Sequence, residues 1–321
     1  MSRVTRVAVL GLGPIGRAVA TEILAAPDLR LVGAIDPGPA LRGRPLVDVL
    51  GANAPKGRVA ASADDLDWSR VDVAVHMAAS RFLTACPQLE SLVERGVHVV
   101  STCEELIAAP FRWPKPARAL DQRARAKGVS VTATGVNPGF VMDLLPAALA
   151  TVCVEVRSVR VRRWVDTSTR REALQNKTGA GITRREFRER AGNGTVGHVG
   201  LRDSLEFLIG HLPLDATVEE ETLRPIVAKA DVRVGRRSFA RGAVLGVHQT
   251  VRARDGAGRV VATFDLKMAY GLENPHDEIR ITGDPGLHVR IDGGVPGDRA
   301  TVGAVLSSIR GAIGSPPGLA G

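Results

Sequence analysis

Val7-Ala8-Val9-Leu10-Gly11-Leu12-Gly13-Pro14-Ile15-Gly16 reads as a short apolar strand, a glycine-rich turn and the opening of a helix. Each glycine has a physical task. Gly11 permits the tight turn, Gly13 lets a pyrophosphate approach the backbone, and Gly16 lets the helix sit close to the strand. Pro14 and Ile15 begin the helix, whose N-terminal amides and partial positive charge face the phosphates. An acid, Asp36, closes the next strand twenty residues after Gly16. That is where the adenosine ribose of a dinucleotide is hydrogen-bonded, so NAD is favoured. Arg42 and Arg44 follow, and either can neutralise a 2′-phosphate, so NADP stays open. A glycine string alone also fits any strand-to-helix turn, and Asp36 also suits a turn before Pro37-Gly38.

Outward from this turn, apolar runs alternate with amphipathic helices. Leu31 to Asp36, Val59 to Ala61, Val71 to Met77, Val97 to Thr102 and Val129 to Thr134 read as strands. Ile15 to Ala26, Phe82 to Arg95 and Lys115 to Lys127 read as helices. The order predicts an α/β fold with a Rossmann-type, doubly wound parallel sheet over residues 1–150. Beyond it the period changes to two: Ala262, Phe264, Leu266, Met268 and Tyr270 alternate with Thr263, Asp265 and Lys267. Residues 151–296 are therefore expected to form a second α+β domain with a mostly antiparallel sheet, for substrate and oligomerisation. Residues 297–321 are expected to give a C-terminal helix that packs back on the first domain, with residues from Gly314 as a loose end.

Composition limits the function classes. The chain has 321 residues, 44% hydrophobic and 24% charged, as in globular proteins. No apolar run reaches the roughly 18 residues of a membrane span. The net charge is +9, but the arginines are scattered and aromatics are 3%. No base-stacking platform follows, so no nucleic-acid partner is expected. Three dispersed cysteines, Cys86, Cys103 and Cys153, argue against a disulfide framework or zinc site and for the cytoplasm. No metal site is expected.

Ligands of parallel sheets lie outside the carboxyl ends of the strands. The candidates there are Ala78, Ala79 and Ser80; Ser101, Thr102 and Cys103; and Asn137, Pro138 and Gly139, whose amides suit a nicotinamide carboxamide. Asn137 also suits an N-cap for a helix beginning near Val141. Glu104 and Glu105 place a carboxylate beside the expected nicotinamide, where it can handle an ammonium group and its protons. The same two acids also suit a helix N-terminus. On the substrate side stand Phe140, the Gln175–Gly181 loop with Asn176 and Thr178, and His198. A dinucleotide-binding sensor without catalysis is the alternative of another class.

Several of these stretches resemble the 2,4-diaminopentanoate dehydrogenase family and its relatives, the native amine dehydrogenases, within the dihydrodipicolinate reductase-like superfamily. The resemblance rests on Val99 to Leu106, Gly135 to Asp143, Asn176 to Gly181, Gly197 to Leu201, Gly297 to Thr301 and Pro316 to Leu319. It implies an NAD(P)-dependent oxidoreductase that deaminates a primary amine reversibly to a ketone, with hydride passing to nicotinamide. It places the amine-handling role on Glu104, with Glu105 as second candidate, and implies a homodimer joined through the second-domain sheet. The His-His-x-x-Lys element of dihydrodipicolinate reductases is absent; Trp164-Val165-Asp166-Thr167-Ser168 stands in that region. A related imine reductase remains the nearer alternative.

Overall fold

The structure is a computed structural model and describes residues 4–235 and 237–320. The chain divides into two compact units: residues up to Gly139 together with those from Pro296 onward, and Phe140–Val295.

The first unit begins with β1 (Thr5–Leu10), α1 (Pro14–Ala25), β2 (Leu29–Ile35), α2 (Leu46–Leu50) and β3 (Val73–His76). It continues with α3 (Phe82–Glu94), β4 (His98–Ser101), α4 (Ala109–Arg112), α5 (Pro114–Lys127) and β5 (Ser130–Ala133). The second unit starts with α6 (Leu144–Ala150), β6 (Glu155–Asp166), α7 (Glu172–Lys177), α8 (Arg184–Gly192) and α9 (Leu201–Gly210). Eight strands follow: β7 (Ala216–Val218), β8 (Thr222–Val227), β9 (Val232–Val234), β10 (Arg237–Phe239), β11 (Val244–Asp255), β12 (Val260–Ala269), β13 (His276–Asp284) and β14 (Leu287–Asp292). The chain then returns to the first unit as α10 (Gly297–Ala312) and β15 (Gly318–Ala320).

The first sheet has the order β15-β5-β4-β3-β1-β2, and every neighbour is parallel. Both faces are covered, which is why β3 is buried at all four positions. Val73 and Val75 face a core with Val19 and Ile23 of α1 and Val305 and Ile309 of α10. Ala74, Val99 and Val131 face the other core, with Phe82, Leu89 and Leu120 of α3 and α5. Gly128 ends α5 at φ +68, a left-handed cap that a Cβ would disfavour.

The structure corrects three expectations. Residues 59–61 contribute a single bridge, Ile35 to Ala60, and no strand. The tail is not loose among its described residues: Gly318–Ala320 pairs with β5, and Asp121 accepts from Leu319 N at 2.9 Å. Residue 321 lies outside the described residues. The units part at Gly139, not at residue 150, because α6 packs on β6 and β13.

The second sheet has the order β14-β13-β6-β12-β11-β7, with β8 also on β11. Only β12 and β6 are parallel. The period of two holds along β12: Ala262, Phe264, Leu266 and Met268 are buried, whereas Thr263, Asp265 and Lys267 are half-buried. Helix α9 packs on β7, β11 and β12. Among the described residues no helix is long and apolar enough to cross a membrane.

Candidate active site

The glycine turn has the shape its spacing implies. Gly11 sits at φ +93, and a Cβ there would stand 2.7 Å from Met77 O. A Cβ on Gly16 would stand 1.9 Å from Gly11 O, so helix and strand meet backbone to backbone. At Gly13 a Cβ would meet nothing within 4 Å. That face is open, and no side chain caps α1 there. Its first amides have no intrahelical acceptor, which fits an anionic pyrophosphate.

Asp36 is half-buried at the end of β2. Its Oδ2 accepts from Leu12 N and its Oδ1 from Gly38 N, each at 2.8 Å. The carboxylate thus anchors the turn and still has lone pairs for ribose hydroxyls. Beyond it lies a cavity of about 820 Å³ lined by Arg42, Arg58, Ala60 and Asp65 among others. Arg58, which the sequence reading missed, also donates to Gly43 O at 2.7 Å.

At the ends of β3 and β4 the candidates separate. Ala78 is exposed; Ala79, Ser80 and Thr102 are half-buried. Ser101 and Cys103 are buried and committed elsewhere, a correction to their expected place lining the ring. Ser101 Oγ accepts from Cys103 N at 3.1 Å and lies 2.9 Å from His76 Nδ1, while His76 Nε2 lies 2.9 Å from Gln88 Oε1. Every group is satisfied if His76 Nε2–H donates to Gln88 and Nδ1 accepts from Ser101. Burial holds the imidazole below its usual range, hence neutral. The Cys103 thiol donates to Ser80 O and is pushed up to about 12, chiefly by burial. His76 was not singled out from sequence, although a histidine closing an apolar strand run was the available signal.

The two glutamates also divide. Glu105 is 3% exposed; its Oε1 accepts from Arg81 at 2.6 Å and its Oε2 from Phe82 N at 2.8 Å. It caps the start of α3. Glu104 opens the 3-10 turn after β4 and is half-buried.

The turn after β5 folds on itself. Cβ atoms on Gly135 and Gly139 would stand 2.6 Å from Pro138 O and 2.5 Å from Gly135 N. Asn137 Oδ1 is buried there without a hydrogen-bond partner, and a nicotinamide carboxamide N–H would satisfy it. Asn137 caps no helix: α6 starts at Leu144, and Asp143 is its cap.

In the second unit Phe140 is 42% exposed. Asp143 is fully buried and accepts from Leu144 N and Ser204 Oγ at 2.7 and 2.6 Å. The expected loop at 175 is in part α7, with Asn176 exposed in its last turn. Thr178 is fully buried and donates its hydroxyl to Gln175 O at 2.7 Å, so it ends the helix instead of facing substrate. His198 is held through its backbone: Gln249 Oε1 accepts from His198 N at 2.6 Å, and Nε2 donates to His198 O at 3.0 Å. Gln249 was missed too. A glutamine among the buried positions Val247, Val251 and Ala253 of β11 was its signal. Among the described residues no group of three or more His, Cys, Asp or Glu side chains could hold a metal.

Comparison with known proteins matches residues 140–321 to the 2,4-diaminopentanoate dehydrogenase C-terminal domain. The chain is 29% identical to the 2,4-diaminopentanoate dehydrogenase of Acetoanaerobium sticklandii, over 98% of this chain and 91% of that one. Its structure is similar to an amine dehydrogenase from Mycobacterium smegmatis: TM-score 0.82, 26% identity, 98% of this chain and 94% of that one. The WlbA dehydrogenase from Bordetella pertussis, solved with NADH and UDP-GlcNAcA, shares the fold at 18% identity and TM-score 0.51, over 90% of this chain and 79% of that one. The chain belongs to the 2,4-diaminopentanoate dehydrogenase family and is, as a member of it, an oxidoreductase acting on amines.

Proposed function

We propose that the protein interconverts a primary amine and its ketone with a nicotinamide dinucleotide, and that Glu104 handles the amine. The observation that carries the assignment is the division of the two glutamates. Glu105 is bound to Arg81 and to the start of α3, which makes it structural. Glu104 is the half-buried carboxylate on the same turn, at the carboxyl edge of the parallel sheet.

The bound nicotinamide would accept or supply the hydride. Gly11, Gly13, Pro14, Ile15 and Gly16 would seat the pyrophosphate, and Asn137 would orient the ring carboxamide. In the aminating direction Glu104 takes a proton from ammonium and stabilises the cationic iminium as its charge develops. Phe140, Asn176 and His198 would contact the substrate.

We assign NAD as the preferred cofactor. A carboxylate held by two backbone amides at Asp36 repels a 2′-phosphate, whereas Arg42 and Arg58 leave NADP usable. A homodimer joined across the half-buried polar face of the second sheet completes the reading, with the cytoplasm as its compartment. The test is a screen of ketones with ammonia and each reduced cofactor. Cofactor oxidation that requires both ketone and ammonia is expected; its absence across alkyl, cyclic and acid-bearing ketones would overturn the assignment.

A further inference from the structure

Two histidine–serine pairs cross neighbouring strands of the first sheet. His98 and Ser130 open β4 and β5, with His98 Nδ1 3.0 Å from Ser130 Oγ. That pair ends in the frame of the fold: Ser130 donates its hydroxyl to Ala312 O at 3.1 Å, at the end of α10. His76 and Ser101 close β3 and β4 as register partners, and both are fully buried. Their onward contact is of a different kind. Ser101 Oγ accepts from Cys103 N, in the turn that carries Glu104.

Glu104 stands between two anchored amides. On one side Cys103 N is bonded to the Ser101 hydroxyl at 3.1 Å; on the other Glu105 N donates to Ser80 O at 3.2 Å. The second anchor is backbone. The first is a serine hydroxyl, whose proton rotates to suit its neighbours. His76 fixes it. With Nε2–H donated to Gln88 Oε1 at 2.9 Å, Nδ1 keeps a lone pair and takes the Ser101 proton, also at 2.9 Å. The lone pairs of the hydroxyl are then left for Cys103 N. The opposite tautomer would deprive the buried Ser101 proton of that acceptor, which is costly. His76 also accepts from the next residue of the turn through its backbone, Thr102 N to His76 O at 3.0 Å.

We propose that His76, acting through Ser101, is a positioning residue for Glu104. The inference rests on the assignment of amine handling to Glu104 and adds the device that aims its carboxylate. A carboxylate that exchanges a proton with ammonium must lie within hydrogen-bond reach of it. A misplacement of about 1 Å costs up to about a hundredfold in rate.

The experiment measures steady-state amination and hydrogen exchange of residues 102–106 in the wild type and in single variants. The ketone is the best alkyl, cyclic or acid-bearing substrate of the screen above, with ammonia and NADH. Ser101→Ala and His76→Phe should each lower kcat about tenfold, leave the KM for NADH unchanged and speed exchange in the turn. His76→Asn sets an oxygen where Nδ1 stood and should restore most of both. Should His76→Phe fail to fold, Ser101→Ala and His76→Asn carry the comparison. Ser130→Ala breaks the other pair; it should lower the melting temperature and leave kcat and exchange in the turn as they were. In a Glu104→Gln background, Ser101→Ala should cause no further loss of turnover. Equal losses in both backgrounds would overturn the positioning role, as would a Ser130→Ala variant as slow as Ser101→Ala, or unchanged exchange in Ser101→Ala. The two readings fail separately. If Glu104→Gln keeps full turnover, the amine-handling assignment falls, and hydrogen exchange alone decides whether His76 and Ser101 hold the turn.

Discussion

The parallel sheet of the first unit and the mixed sheet of the second solve different problems. The first is covered on both faces by two apolar cores, and its strand β3 is buried at every position. The second alternates between buried and half-buried positions along β12. Its half-buried face carries pairs such as Arg162 with Glu278 and Lys267 over Trp164, 3.8 Å from the ring centroid. In the first unit the candidate cofactor turn is shaped by backbone and spacing. In the second, polar side chains such as Gln249 are held by partners far away in sequence. Backbone sites tolerate little change in shape; side-chain sites tolerate little change in chemistry.

The largest effect should come where the first unit's backbone is most crowded. Gly16→Val drives a side chain into Gly11 O. It should abolish cofactor binding, read by reduced-cofactor fluorescence, and lower the melting temperature. Gly13→Ala is its counterpart, because its Cβ meets open space. That variant should melt normally yet bind cofactor more weakly. Normal binding by both would show that the turn does not carry the pyrophosphate.

Glu104→Gln should fold, bind cofactor and lose about a hundredfold in turnover, as for one acid-base group. Glu105→Gln should do the reverse: keep turnover and lose about 1–3 kcal/mol of stability, since a buried capping charge is removed. Exchanged phenotypes would move the chemistry to Glu105. Activity in both would end the proposed mechanism.

A smaller effect is expected at Asp36. Replacement by Ala removes a ribose acceptor and the bond to Leu12 N. Affinity for NADH should fall about tenfold, more than for NADPH, on the scale of one charged hydrogen bond. The reverse order would show the ribose contact misassigned.

The smallest effect is a pH dependence at His76. The unfolded imidazole takes its proton near its ordinary pKa of about 6.5, whereas the buried one resists it. Between those two pKa values the unfolded state binds more protons, so stability falls as pH goes down below about 6.5. His98 shifts in the same direction for the same reason. Thermal melts from pH 7.5 to 5 should show the loss at up to about 1.4 kcal/mol per pH unit for each group. The loss should shrink in His76→Gln; an unchanged slope would exclude His76 as its source.

What could be read directly was whatever depends on near neighbours. The glycine turn, Asp36, the parallel order and the strand ends follow from local period and turn chemistry, and they stand where the spacing puts them. The tail strand at Gly318 escaped notice because three residues carry no period, and its place depends on the open edge of β5. The roles of side chains at the site needed the fold. Glu104 and Glu105 are adjacent and chemically alike, and only Arg81 and Phe82, more than twenty residues away, tell them apart. Ser101 and Thr178 read as ligands from sequence, yet both hydroxyls are occupied within the fold. Gln249 holds His198 across 51 positions. Backbone geometry is a local property of a chain. Which polar groups remain for a ligand depends on which partners are already taken, and tertiary packing sets that.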